Sequence, residues 1–202
     1  MFTCGLSANV HGFKELLAAE FAPFGSLLES EIAALERHYF LLMHWNRRMN
    51  LTRIEELEDA VQLHYCESLF LGKSLPASPL RIADIGSGAG FPGLPVAVIR
   101  AESEVDLIDS HHRKAVFLRE ACAGLGNVRV IAERAETLGA RTYDWVVSRA
   151  VRPSEVLALR LAQQAAVLMS AADLAALDQK PVMVKPLPWG TGRVLAIFNT
   201  SP

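Results

Sequence analysis

The stretch Leu80-Arg-Ile-Ala-Asp-Ile-Gly-Ser-Gly-Ala-Gly-Phe-Pro-Gly93 decides the fold. Leu80 to Ile85 is a short apolar run that reads as a buried strand. Glycines at 86, 88, 90 and 93 follow, and Leu94 to Ile99 is apolar and reads as a helix. Strand, glycine loop and helix together let a backbone approach a ligand closely, because no Cβ stands in the way. The helix start adds free N–H groups and a partial positive charge at the same spot. This is the reading of a cofactor loop.

Two registers of the glycines compete. From Gly86, the third glycine of a dinucleotide fingerprint falls at Phe91; from Gly88, the pattern is complete through Gly93, but Pro92 sits inside it. A lone match of this kind is weak. Asp84 says more, as a carboxylate in the last turn of an otherwise apolar strand. A carboxylate suits a ligand offering an ammonium group and opposes a pyrophosphate in the same loop. S-adenosylmethionine carries an ammonium and a sulfonium and no phosphate. The alternative is that Asp84 accepts loop N–H bonds.

At 202 residues the chain is long enough for one α/β domain and a modest extension. Hydrophobic residues make up 51%, enough for a substantial core, and the net charge of −2 announces no global affinity for nucleic acid. An RNA partner therefore requires a local basic patch. Cys4, Cys66 and Cys122 show no CxxC spacing and read as free thiols of a reducing compartment. Neither a signal-peptide pattern nor an apolar run long enough for a membrane span occurs, so a soluble cytoplasmic protein is expected.

Residues 1–78 read as an N-terminal helical extension and 79–202 as the cofactor domain. Met1 to Val10 carries no strong pattern and is expected to fray. Gly12 to Phe21 has helical spacing, and Ser26 with Glu29 suggests a capping box for a helix from about Leu27 to Trp45. Ile32, Leu35, Tyr39, Leu42 and Met43 form its apolar face. Arg47, Arg48 and Arg53 then make the densest basic cluster, either a solvated helix end or a phosphate-facing patch. Asp59 to Leu71 reads as a third helix, in which His64 is expected to be structural.

Glu104 to Asp109 is the second strand of the sheet. Asp109 stands where a carboxylate ending that strand meets a ribose diol, or else caps the next helix. That helix opens with a second basic cluster including Arg113 and Lys114; His111 and His112 are adjacent and so face different ways, unlike a metal pair. Asn127–Ile131 is strand three, and the loop after it makes Ala135 and Glu136 candidates for contact with a base. Tyr143–Ser148 is strand four, and Arg149 leaves its carboxyl end, where ligands of open α/β sheets sit. A helix from Pro153 to about Leu161 follows, then a strand from Gln164 to Met169 and a short helix from Ala171 to Leu177. Pro181–Leu187 and Arg193–Phe198, joined through Trp189–Gly192, read as an antiparallel pair.

Taken together, Trp45-Asn46, Asn50-Leu-Thr52, His64-x-x-x-Ser68, Asp84-Ile-Gly-Ser-Gly-Ala-Gly-Phe-Pro-Gly93, Asp109-Ser110, Lys114-x-x-Phe-Leu118, Ala135-Glu136 and Ser148-Arg-Ala150 form a pattern. It resembles the bacterial small-subunit rRNA (guanine-N7) methyltransferase family, formerly glucose-inhibited division protein B, over roughly residues 35 to 200. The resemblance implies a doubly wound, mostly parallel Rossmann-like methyltransferase sheet with an antiparallel C-terminal strand pair. It also implies S-adenosyl-L-methionine as cofactor and a guanine N7 in the decoding region as target, within small-subunit rRNA or the 30S particle. Matched by position, Gly86, Gly88, Phe91, Ala135, Glu136 and Arg149 are expected at the cofactor, with Asp84 on its ammonium and Asp109 on its ribose. Leu168-Met-Ser170 stands where the family has Leu-Lys-Gly, which removes a basic residue.

Guanine N7 has a free lone pair, so neither a general base nor a metal is expected. Alignment and a dry site are what the protein must supply. Arg149 is the candidate for holding the base or a phosphate by charge-assisted bonds. A monomer is expected. The rival readings are an NAD-dependent oxidoreductase using the Gly88 register, and a weakly active cofactor-binding module attached to the ribosome.

Overall fold

The computed structural model describes residues 12–139 and 142–200, and Met1–Val10 with Cys4 lies outside the described residues. Helices α1 (Phe13–Phe21) and α2 (Glu29–Met49) come first. A helical segment follows, made of α3 (Leu57–Asp59), a π-helical stretch (Ala60–Cys66) and α4 (Glu67–Ser74). Then come β1 (Arg81–Ile85), α5 (Gly93–Ile99), β2 (Glu104–Ile108), α6 (His112–Ala121), β3 (Val128–Ile131) and β4 (Trp145–Arg149). The chain finishes with α7 (Pro153–Ala158), β5 (Gln164–Ser170), α8 (Ala171–Ala175), β6 (Met183–Pro186) and β7 (Arg193–Asn199).

The strands form one sheet in the order β3-β2-β1-β4-β5-β7-β6. β1 to β5 run parallel, and β7 pairs antiparallel with both β5 and β6. β1, β2, β4 and β5 are buried along nearly their whole length, as strands covered on both faces must be. Alternate residues separate into two cores. Ile82, Leu107, Trp145, Val147, Leu168, Leu195 and Ile197 join the apolar faces of α1, α2 and the π segment. Ala83, Ile85, Ile108, Val146, Val167 and Ala196 face α7 and the Leu161–Ala162 segment. The N-terminal helices, together with α5 and α6, thus cover one face of the sheet. Among the described residues no helix is long and apolar enough to cross a membrane.

Three local expectations are corrected. α2 is capped at Leu28, not Ser26: the Glu31 carboxylate reaches back to the Leu28 amide at 2.7 Å, half of a capping box displaced by two residues. The third helix carries the π stretch at its centre, which apolar spacing does not signal. α7 stops at Ala158, short of Leu161, because Arg160 adopts a left-handed φ of 51°.

α5 rests on β1 and β2 through Gly93, where a Cβ would lie 2.6 Å from Asp84 Oδ2 and collide with Leu107. Gly93→Ala is expected to cost about 1–3 kcal/mol of stability by overpacking, read as a lower thermal midpoint. An unchanged midpoint would show that the helix–sheet spacing tolerates a methyl group.

Candidate active site

The C-terminal ends of the parallel strands open onto a cavity of about 930 Å³. That is the upper end of the range for small-ligand sites, large enough for a cofactor and a base together. β7 runs antiparallel, so its first residue, Arg193, reaches the same edge. Thr52 and His64, from the N-terminal segment, close the cavity on one side.

Gly86 and Gly88 both have positive φ, 71° and 56°, and both line the cavity. Six amides of this loop are already engaged within the protein, while that of Ala89, on the cavity wall, has no acceptor among the described residues. Gly86 and Ser87 donate to the Ile108 carbonyl at 2.9 and 3.1 Å, and Gly90 and Phe91 donate to the Ser87 carbonyl at 2.7 and 3.1 Å. Gly88 donates to Asp109 Oδ2 at 2.9 Å and Gly93 to Asp84 Oδ2 at 3.0 Å, while Pro92 has no N–H. A pyrophosphate needs several open amides, and this loop leaves the single one of Ala89 rather than the cradle the dinucleotide register requires.

Asp84 does not line the cavity. Strand periodicity puts it on the same face as Ile82, beneath the start of α5, where it is fully buried and holds Gly93. The loop-amide alternative therefore describes its geometry, and the expected ammonium contact does not. Its second oxygen has no partner, and burial pushes the carboxyl up to about 7. Asp109 does line the cavity, and each of its oxygens accepts one amide, from Gly88 and from His111 at 2.8 Å. A carboxylate oxygen has two lone pairs, so both retain capacity for ribose hydroxyls. Asp109 is not the N-cap of α6, which is His111; its carboxylate accepts the amide of that residue instead. Ala135 and Glu136, in a short 3-10 turn after β3, line the adjoining wall.

Phe91, buried under the loop, stacks on His64 with centroids 4.5 Å apart, and the Arg149 guanidinium lies 5.1 Å from its centroid. Arg149 Nη1 donates to the Leu63 carbonyl at 2.7 Å, within the π stretch. Burial chiefly, with Arg193 nearby, pushes the Arg149 guanidinium down to about 10, against the pull of Glu67 and Asp84. His64 bonds Thr52 Oγ1 at 2.7 Å, and Asn46 holds the Thr52 amide at 2.9 Å and its carbonyl at 3.0 Å. His64 is thus structural as expected, although it also lines the cavity, and burial keeps it neutral with its pKa far below the usual range.

The basic candidates divide. Arg53 and Lys114 line the cavity; Arg47, Arg48 and Arg113 are exposed and stand away from its wall. Met169 is buried in the second core and Ser170 caps α8, accepting the Asp173 amide at 3.0 Å. Neither residue supplies a cation to this part of the wall, where Arg193 of β7 stands opposite Ser170.

Three participants escape a reading of the sequence. His38, one turn after Leu35 on the buried face of α2, donates from Nε2 to the Ala89 carbonyl at 2.9 Å and accepts the Tyr65 hydroxyl at Nδ1 at 2.9 Å. Its place on an apolar stripe was the available signal. Glu67, fully buried in α4, holds Arg193 of β7 through both carboxylate oxygens. Residues 126 apart give no local signal of pairing.

Opposite pH dependences follow from Asp84 and His38. The Asp84 pKa is raised, so its stabilising contribution is full below about 4 and is lost as pH rises through about 7. Asp84→Asn is therefore expected to flatten the fall in melting temperature between pH 5 and 8; parallel curves for the two proteins would contradict the buried neutral acid. Burial pushes His38 down to about 4 against its bond to Ala89. Its contribution is present above about 6.5 and is lost as pH falls through about 4. His38→Ala should lower stability at pH 7 and weaken adenosyl-ligand binding; unchanged binding would uncouple α2 from the loop.

Comparison with known proteins agrees with this geometry. The chain spans about three fifths of the length of the curated relatives it matches. One, ribosomal RNA small subunit methyltransferase G of Nitrosospira multiformis, is 44% identical over 128 residues, covering 62% of this chain and 58% of that one. The protein of the same name from Halorhodospira halophila is 42% identical over 135 residues, 64% of each chain. A SAM dependent methyltransferase from Aquifex aeolicus superposes with TM-score 0.53 at 17% identity, over 69% of this chain and 93% of that one. A SAM-dependent O-methyltransferase from Thermotoga maritima gives TM-score 0.52 at 14% identity, over 80% and 72%. The fold is thus the α/β, mostly parallel Rossmann-like sheet shared by methyltransferases. A family model described as rRNA small subunit methyltransferase G matches residues 31–169, and the chain belongs to that family.

Proposed function

We propose that this chain transfers a methyl group from S-adenosylmethionine to N7 of a guanine in small-subunit ribosomal RNA, free or within the 30S particle. The observation that carries the reading is a glycine loop with six of its amides spent on protein acceptors beside the open carboxylate Asp109. Such a site suits a nucleoside without phosphates. The printed names of the relatives and the match over residues 31–169 supply the RNA class. We further infer that the N-terminal helices, 1–78, and the cofactor domain, 79–202, act as one monomeric cytoplasmic unit.

When bound, S-adenosylmethionine supplies an activated methyl on a sulfonium. Asp109 accepts the ribose hydroxyls, and Ala135 with Glu136 borders the base of the nucleoside. Gly86 and Gly88 let the backbone lie close to the amino-acid end. Arg149, held by the Leu63 carbonyl and the Phe91 ring, holds the ligand carboxylate or a substrate phosphate at the boundary between cofactor and RNA. Guanine N7 presents its own lone pair, so the chain has alignment and exclusion of water to provide. With Met169 buried in the core, Arg53 and Lys114 are the two of the basic candidates that line the cavity and face RNA, and Arg47, Arg48 and Arg113 form an outer basic surface.

The test is transfer of labelled methyl groups to undermethylated small-subunit RNA and 30S particles, with the product mapped as 7-methylguanosine. The expected outcome is one modified guanine in small-subunit RNA; methylation elsewhere, or of protein alone, would contradict the reading. Arg149→Ala should lower turnover about 100-fold through lost alignment, with a lower melting temperature because the Leu63 carbonyl loses its donor, and unchanged turnover would remove Arg149 from the site.

A further inference from the structure

The wall formed by β4, β5 and β7 is where an RNA base has to lie if the cofactor occupies the ends of β1 to β3. Its hydrogen-bonding groups are mostly spoken for. Arg149 is bonded to Leu63 and set over Phe91. The Ser170 hydroxyl is bonded to Asp173 at 2.6 Å, and Thr52 Oγ1 is shared between the Ile54 amide and His64. His64 Nδ1 is unpartnered but sealed from the cavity. Arg193 differs. Its Nε and Nη2 are held by the buried Glu67 carboxylate, while Nη1 has no acceptor among the described residues and is not enclosed. The side chain is 28% exposed and lines the cavity.

We propose that Arg193 determines the specificity for guanine by donating from Nη1 to O6 of the target base. The proposal rests on the methyl-transfer reading above. On guanine, O6 and N7 share one edge, so a donor beside the reacting nitrogen meets O6 directly. Adenine presents an amino group at that position, and a guanidinium has no acceptor to offer it. The geometry also answers an electrostatic difficulty. Methylation at N7 leaves the base positively charged, and a lone arginine beside it would oppose the reaction. Arg193 brings its own counterion, since Glu67 faces it through both oxygens and is fully buried. The pair therefore offers a directed N–H with little net charge. Glu67 is a positioning residue, which fixes the plane of the guanidinium.

The experiment replaces single atoms on both sides. Small-subunit RNA is ligated to carry either guanosine or 2-aminopurine at the methylated position; the second keeps N7 and lacks O6. Wild-type protein and the double variant E67Q/R193Q, in which an amide pair replaces the ion pair, are compared on both, with R193K as a charge-preserving third protein. Folding is checked by thermal melting and by S-adenosylhomocysteine affinity, expected within about 2-fold of wild type because neither residue is assigned to the cofactor. R193K carries the same comparison if the double variant does not fold.

The expected result is a wild-type turnover number about 10- to 100-fold lower on 2-aminopurine than on guanosine, the worth of one charged hydrogen bond. In the variants that difference shrinks towards unity. Salt dependence of RNA binding should be unchanged. Equal sensitivity of wild type and variants to the missing O6 would overturn the proposal. A variant defect confined to RNA affinity, with a salt slope reduced by about one, would do so as well and would make Arg193 a phosphate contact. Failure of the wild type to modify guanine N7 would instead overturn the functional reading, and this inference with it.

Discussion

The hydrogen bond from the Gly93 amide to buried Asp84 is the constraint on which the site depends. It ties the start of α5 to β1, and with the Ile108 and Ser87 carbonyls and Asp109 it consumes all but the Ala89 amide of the donors that a glycine loop could otherwise show to a ligand. A loop built this way is a shaped surface rather than an anion trap. What it offers is close backbone approach at Gly86 and Gly88 and one carboxylate, Asp109, at the end of β2. Those features select a nucleoside with hydroxyls and no phosphates, which is the chemistry of an adenosyl sulfonium.

The N-terminal helices do more than cover the sheet. α2 reaches the loop through His38 on the Ala89 carbonyl, and the π stretch passes the Leu63 carbonyl to Arg149. π-helical turns are common at functional sites, because the extra residue redirects carbonyls and side chains. Here the segment containing Leu63 and His64, with Glu67 one turn on, contributes to three fixed contacts on one wall: Arg149, Phe91 and Arg193. Asp84, Arg149 and Arg193 lie on the sheet face that these helices share with α5 and α6, as strand alternation requires. The cationic half of the cavity is therefore assembled between the two segments of the chain.

Much of this was legible in the sequence, for identifiable reasons. The parallel strands read as continuous apolar runs, and the Trp189–Gly192 connection was too short for anything but an antiparallel pair. Asp109 was legible because its distance from the glycine loop is set by one crossover. The parity of Asp84 with Ile82 already puts it on the face beneath α5, where it accepts the Gly93 amide. His38 was missed although it shares a stripe with Leu35 and Leu42. The Glu67–Arg193 pair and the π stretch had no local signal, since the first joins α4 to β7 and the second depends on tertiary partners.

Calorimetric titration of the purified chain with S-adenosylhomocysteine and, separately, NAD tests the central claim most directly. The account predicts binding of S-adenosylhomocysteine and no measurable heat with NAD, because a loop with six amides engaged and only that of Ala89 open gives a pyrophosphate too little. Comparable binding of NAD would contradict it and would mean that the loop opens to expose those amides.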